Sequence, residues 1–332
     1  MNLALSDEQA MVRDMVRRFL ADRYDATTMA KGPMSSDDWR ALGELGLFAL
    51  LMPEQAGGLG GGAVEVMIIS QELGRALAIT PLAEAILLCG RALAADQAVG
   101  GWTDRLMQGD ALLAFARGGE VVDGRLSGLA DIVRDGVNAD AFVVETEAGA
   151  LLLVDVQDSR IRRIPVRLAD GSMAANVRFD AALAQPLTAP ASLWAEAHTL
   201  AGLSIIAELV GAMSTLLDLT VDYIKQRHQF GKPIASFQVV QHRCARMYTW
   251  LEQSRSLLLK AAMVGEKERT RAVTTARAYI GDTALKLAEE AVQLHGGMGV
   301  TNELAVGRGL RRVLLLSRLH GGGIAARSAL AA

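Results

Sequence analysis

The chain has 332 residues and a formal net charge of −3, from 34 Lys and Arg against 37 Asp and Glu. No basic cluster with interleaved aromatics occurs, which argues against a nucleic-acid surface. Hydrophobic residues make up 51% and aromatics only 5%, so the core is Ala, Leu and Val and suits packed helices better than a β-sandwich. The length allows two or three domains. Cys89 and Cys244 sit in apolar helical contexts and read as buried free thiols of a reducing cytoplasm. The opening Met-Asn-Leu-Ala-Leu-Ser-Asp-Glu has no basic stretch leading into an apolar one, so no export signal is expected. No run is expected to reach the roughly 20 apolar residues of a membrane span. A soluble, cytoplasmic protein with no membrane contact follows.

In chain order, Ser6-Asp7-Glu8-Gln9 is a capping box, with Ser6 able to cap and Gln9 placed to reach back. Met11, Val12, Met15, Val16 and Phe19 follow at helical spacing. Trp39, Leu42, Leu45 and Leu47 predict a second helix ending at Met52-Pro53-Glu54, before the loop Gly57-Gly-Leu-Gly-Gly-Gly62. Val66, Ile69, Leu73 and Leu77 then stripe a helix over Val64–Leu77. From about Ala111 to Leu187 the period changes. Ala111–Phe115, Ala141–Glu145, Leu151–Asp155 and Ala175–Phe179 are short apolar runs between Gly, Asp and Asn, the texture of strands and turns.

After Ser192 long helices return. Ile206, Val210, Met213, Leu217 and Val221 form one stripe, and Phe237, Val240, Cys244, Met247 and Leu251 the next. Thr274–Leu294 gives a third helix and Glu303–Leu319 a shorter fourth. Antiparallel helices of this length with short joints read as a four-helix bundle. The expected architecture is mostly α with a small central β-domain: an N-terminal helical domain over 1–110, a shortened β-domain over 111–190 and a C-terminal four-helix bundle over 191–332.

Two segments carry chemistry. Tyr223-Ile-Lys-Gln-Arg-His-Gln-Phe-Gly-Lys-Pro-Ile-Ala-Ser-Phe-Gln238 ends one helix, turns at Gly231-Lys232-Pro233 and opens another. It presents a guanidinium suited to phosphate oxygens beside a flat ring suited to stacking. Gln293-Leu-His-Gly-Gly-Met-Gly-Val300 places glycines at a helix end, where backbone amides can approach a pyrophosphate; a plain C-terminal cap is the alternative. His198, His228, His242 and His295 show no metal-ligand spacing, so no metal site is expected.

The first segment resembles the signature of the flavin-dependent acyl-CoA dehydrogenases, roughly Tyr-x-x-x-Arg-x-Gln-Phe-Gly followed by Phe-Gln. That family also carries Gln-x-x-Gly-Gly-x-Gly at the place of the second. The resemblance extends to Trp39-Arg-Ala-Leu-Gly-Glu-Leu-Gly-Leu, Pro53-Glu, Gly57-Gly-Leu-Gly60 and Glu72-Leu-Gly-Arg75, and so spans nearly the whole chain. It implies that Arg227, Gln229, Phe230, Gln293, Gly296 and Gly297 hold the ADP half of an FAD bound mainly to a neighbouring subunit. Pinning of helix ends is the alternative role for the same residues.

Other family parts are missing. The resemblance implies a strand and loop near Thr-Glu-Pro-x-Ala-Gly-Ser-Asp and a Trp-Ile-Thr triplet around the flavin ring. Here Ala111-Leu-Leu-Ala-Phe-Ala-Arg-Gly-Gly-Glu120 runs straight into Val121-Val-Asp-Gly-Arg, and neither is recognisable. The reaction removes an α-proton from an acyl-CoA while a hydride leaves Cβ, and needs a carboxylate base. Counting from the glycine motif puts His320 at the position of that glutamate, and the early-bundle alternative falls on Ala201. Neutral imidazole is a competent base, so His320 is a candidate catalytic residue; a loop relieved of catalytic duty is the other reading. Glu196 is out of helical phase with Ala201, and Glu208 is expected to pair inside the bundle.

The parts that grip a neighbour's FAD are kept and the parts that seat the ring are not. The resemblance to the α2β2 members of steroid side-chain degradation implies a partner subunit of an acyl-CoA dehydrogenase. It would work with a sibling subunit, an acyl-CoA substrate and electron-transfer flavoprotein as acceptor. A self-sufficient dehydrogenase with an atypical base and a flavin-free scaffold or acyl-CoA-binding protein are the alternatives.

Overall fold

A computed structural model of the chain describes residues 4–24, 32–301 and 303–331. They form two compact units, one from segments 1–32, 63–79 and 202–332, the other from 33–62 and 80–201. Helices α1 (Asp7–Arg23), α2 (Ser36–Glu44), α3 (Leu47–Leu51), α4 (Ala63–Arg75), α5 (Arg91–Ala94) and α6 (Gly100–Met107) precede the strands. Helices α7 (Ala191–Gln226), α8 (Gln238–Met263), α9 (Glu266–His295), α10 (Ala305–Leu316) and α11 (Gly322–Ala331) follow them. The chain is mostly helical with a small strand region, as the patterning requires.

The capping box is present. Ser6 Oγ accepts from the Gln9 amide at 3.2 Å, and Gln9 Oε1 accepts from the Ser6 amide at 3.1 Å. The inward face of α1 is set by Val16 and Leu20, while Met11 is exposed. The single helix expected around Trp39–Leu47 is two, because Gly46 takes a left-handed φ of 75° and starts α3 afresh. Trp39 and Phe48 nevertheless pack, ring centroids 4.2 Å apart.

Strands β1 (Leu113–Arg117), β4 (Ala141–Glu145), β5 (Leu151–Asp155) and β8 (Gln185–Pro186) form one sheet in the order β1-β4-β5-β8, with β1 parallel to β4. Strands β2 (Glu120–Val122), β3 (Arg125–Arg134), β6 (Ile161–Arg167) and β7 (Met173–Leu183) form an antiparallel sheet ordered β2-β3-β7-β6. Phe142 and Phe179, 6.0 Å apart and edge to face, lie at the centre of the apolar cluster these strands share. Four strands of these sheets, β2, β3, β6 and β8, were not anticipated. In β3 the pairing slips twice, between Leu126 and Gly128 and between Ala130 and Val133, which breaks the alternation that marks a strand. The edge strand β6 carries four arginine or proline residues, Arg162, Arg163, Pro165 and Arg167, a composition suited to an edge rather than a buried run.

Residues Ala83–Gly90 are wound as a π-helix, fully buried. Arg134 reaches Glu84 there at 2.7 Å, both side chains buried. Cys89 lies in the same turn, and burial pushes its thiol far above the ordinary range. Cys244 is only half-buried, which corrects the expectation of two buried thiols.

The helix α7 corrects a second expectation. Its most apolar window has a mean hydropathy of 1.8, long and apolar enough to cross a membrane, but that window is wholly buried within the protein, the mark of a core helix. Glu208 interrupts it and pairs with Arg312 of α10 at 2.7 Å, as expected of a buried bundle acid. Small residues let α4 and α7 touch. A Cβ on Gly74 would stand 2.1 Å from the Glu208 carbonyl oxygen, and one on Gly211 2.1 Å from that of Gln71. Ser70 and Ser204 share a hydrogen bond of 2.8 Å across the same seam. Helix α9 packs against α8, α10 and α11. In α8 only Met247 and Leu251 of the expected stripe are buried; Val239 and Tyr248 face solvent instead.

Candidate functional site

The signature folds as a hairpin between α7 and α8. Strand β9 (His228–Gln229) pairs with β10 (Lys232–Pro233) around a two-residue loop, Phe230-Gly231. Both loop residues have positive φ, 54° and 77°, the geometry that two-residue hairpins favour. Glycine takes it freely; phenylalanine does so at a cost of about 1–2 kcal/mol. Phe230 is 90% exposed, its ring set edge-on to Phe237 at 6.1 Å. A large apolar ring strained outward is costly in a free chain and points to a surface that something covers. Arg227, whose amide still bonds the Tyr223 carbonyl at 2.9 Å, is exposed and makes no ion pair among the described residues.

The glycine motif closes α9. Gly296 has φ 63° and ψ −147°, a region open to glycine almost alone. Gly299 is there for packing, since a Cβ would meet the Val292 carbonyl oxygen at 2.6 Å. Gly297 has neither reason: its φ is not positive and nothing lies within 4 Å of where a Cβ would stand. An absent side chain that the chain itself does not demand fits close approach of a ligand.

The hairpin and the glycine turn enclose an open cavity of about 460 Å³, lined by Tyr223, Arg227, Gln229, Ile234, Gln293, Leu294, His295, Gly296, Gly297 and Met298. Five residues singled out in the sequence therefore share one cavity: Arg227, Gln229, Gln293, Gly296 and Gly297. Phe230 stands on the hairpin outside the lining. One cation, two side-chain amides, glycine backbone and no carboxylate suit a diphosphate. Sequence reasoning gave no role to Tyr223, Ile234, His295 or Met298, although all four stand inside the two quoted segments.

His320 lies elsewhere, in the turn between α10 and α11, with φ 49° and ψ 40°. Arg277 Nη2 of α9 donates to the carbonyl oxygens of Leu319 and His320, each at 3.1 Å. Burial draws this guanidinium's proton affinity below its ordinary value. Gly202 leaves room for it, since a Cβ there would stand 3.3 Å from Arg277 Cδ. Ala201, the residue before, is buried, and Glu196 pairs with Arg91 at 3.3 Å. No signal in the sequence marked Arg277, a cation of unremarkable helical spacing.

At the C-terminal ends of β1 and β4, a half-buried cluster forms. Trp194 Nε1 donates to Glu145 Oε1 at 3.0 Å, and Arg117 Nε to Glu145 Oε2 at 2.7 Å. His198 stands edge-on to Trp194 at 4.5 Å, and Phe115 lies 5.6 Å from Trp194. Burial raises the Glu145 carboxyl, but the bonds from Trp194 and Arg117 outweigh it and hold the group below its ordinary value.

Comparison with known proteins gives this geometry a family. Residues 6–96 match the acyl-CoA dehydrogenase N-terminal domain and residues 197–330 the C-terminal domain. Acyl-CoA dehydrogenase IpdE2 of Mycobacterium tuberculosis is 32% identical over 90% of this chain and 88% of its own. Among solved structures, the ChsE4–ChsE5 complex from Mycobacterium tuberculosis superposes with a TM-score of 0.88 at 25% identity, covering 100% of this chain and 98% of that one. A variant of the Tcur3481–Tcur3483 steroid ACAD gives 0.85 at 25% identity, covering 98% and 97%. The chain belongs to the acyl-CoA dehydrogenase family, whose members are FAD-dependent oxidoreductases.

The donor set around the cavity fits the diphosphate of that cofactor, which would lie against Arg227 and the Gly296–Gly297 backbone. Gly297→Ala separates the ligand role from a folding role. The substitution is expected to leave thermal stability unchanged, because nothing meets the new methyl group, while weakening FAD or ADP-ribose binding about tenfold or more through loss of close backbone contact. A lowered melting temperature with intact binding would assign Gly297 to the fold instead.

Proposed function

We propose that this chain is the partner subunit of an acyl-CoA dehydrogenase, one that completes the FAD site of a sibling subunit. The observation that carries the reading is the outward-facing cavity of Arg227, Gln229, Gln293, Gly296 and Gly297, beside the strained, exposed Phe230. These residues would take the ADP end of the cofactor; the α,β-dehydrogenation of an acyl-CoA thioester would take place at a ring and a base belonging largely to the sibling. Three observations agree with it. The positions that would carry a base hold Ala201 and His320. The end of β1, where the family resemblance puts the ring, is filled by Phe115, Arg117, Glu145, Trp194 and His198 packed on one another. Two of the similar structures, the ChsE4–ChsE5 complex and the Tcur3481–Tcur3483 steroid ACAD, pair different chains.

By the same analogy the substrate is the CoA thioester of a bulky, polycyclic acid. The assembly is an α2β2 hetero-oligomer in the cytoplasm, and electron-transfer flavoprotein is the acceptor. Expression alone and with the neighbouring dehydrogenase-like gene product tests the proposal. Flavin absorbance should be substoichiometric for the chain alone and stoichiometric in the complex, with acyl-CoA bleaching only the complex. A lone homo-oligomer holding one FAD per chain and oxidising acyl-CoA unaided would end it.

One observation favours a second reading. The His320 turn is held by two charge-assisted bonds from Arg277, a degree of fixation that a general base requires. If His320 is the base of a self-sufficient enzyme, His320→Ala lowers the rate of flavin reduction about 10²–10⁴-fold. If the sibling supplies the base, the same variant in the complex reduces flavin at close to the wild-type rate.

A further inference from the structure

His295 ends α9 and forms part of the cavity wall. Its ring stacks on Tyr223, centroids 4.2 Å apart and planes 23° from parallel, and Tyr223 Oη donates to the His295 carbonyl at 3.4 Å. Nδ1 lies 2.8 Å from the Ala291 carbonyl oxygen. A carbonyl only accepts, so Nδ1 carries the hydrogen and the neutral ring keeps its lone pair on Nε2. Nε2 makes no hydrogen bond to a described residue. The tautomer is thus fixed from below, and the one basic atom left over belongs to a ring in the cavity wall.

The charges around it are one-sided. Tyr223 of α7 and Arg227, the residue after that helix, are the other titratable groups of the lining. On the hairpin, His228 bonds the Gln226 carbonyl and Lys232 lies over the Phe237 ring. On α9, Glu290 is held by Arg243 at 2.6 Å and Glu289 is exposed. The 296–300 turn carries no charge, α10 carries Arg308, Arg311 and Arg312, the last bonded to Glu208, and Glu303 before it is exposed. No carboxylate lines the cavity to stabilise an imidazolium in the empty state. Burial accordingly pulls His295 below its ordinary 6.5, outweighing the Ala291 bond.

We propose that a pyrophosphate-bearing nucleotide bound between Arg227 and the Gly296–Gly297 backbone draws one proton from solvent onto His295 Nε2, so that binding and protonation of this residue are coupled. The inference rests on the cavity being the nucleotide site proposed above. Its physical basis is proximity. The glycines that would cradle the anion begin one residue after His295 and line the same cavity, and an anion held beside the ring in a partly desolvated site favours the charged imidazole. The sign follows from linkage. The free form is neutral and the bound form protonated, so affinity rises as pH falls through the raised pKa of the bound state, by up to about tenfold per pH unit. It levels off below the lowered pKa of the free state and is flat above both.

ADP-ribose tests this, since its doubly esterified pyrophosphate does not titrate in the window. Calorimetry on the full chain from about pH 5.5 to about 8, in two buffers of different ionisation enthalpy, reads proton uptake directly. Uptake approaching one proton per site and tighter binding on the acid side are expected. The His295→Gln variant should lose both. In the wild-type protein, the His295 ring-proton resonance should titrate at higher pH with ligand than without, a reading that needs no variant. Affinity independent of pH without proton uptake, or uptake that persists in His295→Gln, overturns the proposal while leaving the nucleotide site intact. Absence of ADP-ribose binding, or equal binding by Arg227→Ala, overturns the site itself and the proposal with it.

Discussion

Arg312→Met is expected to destabilise the fold by about 3–5 kcal/mol, the cost of breaking a buried ion pair by removing one member. Arg312 and Glu208 are each 3% exposed at the side chain and meet at 2.7 Å. Removal of the guanidinium takes that 2.7 Å bond from a carboxylate buried within α7. The double variant Glu208→Leu with Arg312→Met removes both charges and should recover most of the loss, because a buried pair gains little over well-packed apolar residues. Denaturant unfolding of the two variants checks this. A single variant within about 1 kcal/mol of wild type would mean that the pair is solvated in ways its burial does not show.

Arg227→Ala is expected to act in the opposite manner, on binding and not on folding. Charge-assisted hydrogen bonds to a phosphate are worth about 1.5–3 kcal/mol, so affinity for FAD or ADP-ribose should fall about 10–150-fold. Arg227 is exposed and without an ion pair among the described residues, so the melting temperature should stay where it is. Arg227→Lys keeps the charge but not the planar fork and should fall between the two. Titration followed by flavin fluorescence measures the series. A folded variant with unchanged affinity would remove Arg227 from the cofactor site.

How much was legible depended on how local the cause was. The capping box at Ser6 and Gln9 needs four consecutive residues, and it forms as read. Strands β4 and β5 are short apolar runs with glycine or aspartate at their ends and were found at their true bounds. Strand β3 escaped because its two bulges and Gly128 break the alternation. The Trp39–Leu47 helix was read as unbroken because Gly46 is a tolerable helix residue until its φ is known. The α8 stripe was legible as apolar spacing but not as burial: Met247 and Leu251 are covered, Cys244 only in part.

For the site, the sequence supplied residue types and spacing. The hairpin and the glycine motif lie more than sixty residues apart (from Arg227 to Gln293), and only the resemblance joined them. His295 and Tyr223 received no role because the contact between their rings joins positions 72 apart in the chain. Arg277 was passed over because its two acceptors are backbone atoms of a turn forty-two and forty-three positions away.

By itself, then, the sequence determined the family, the succession of a helical region, a strand region and a second helical region, and the presence of an arginine, amides and glycines suited to a diphosphate. These are properties of neighbouring residues and of repeat periods, and they need no partner to be expressed. Tertiary structure decided what each such residue is for. Gly74 and Gly211 serve packing because a backbone oxygen of another helix lies 2.1 Å from any Cβ, whereas Gly297 serves open space. Glu208 is structural because Arg312 reaches it, and His295 faces a cavity because Tyr223 and Ala291 hold its ring and its proton. Identical residue types acquire different duties through distance alone, and distance between remote segments is set only when the chain has packed.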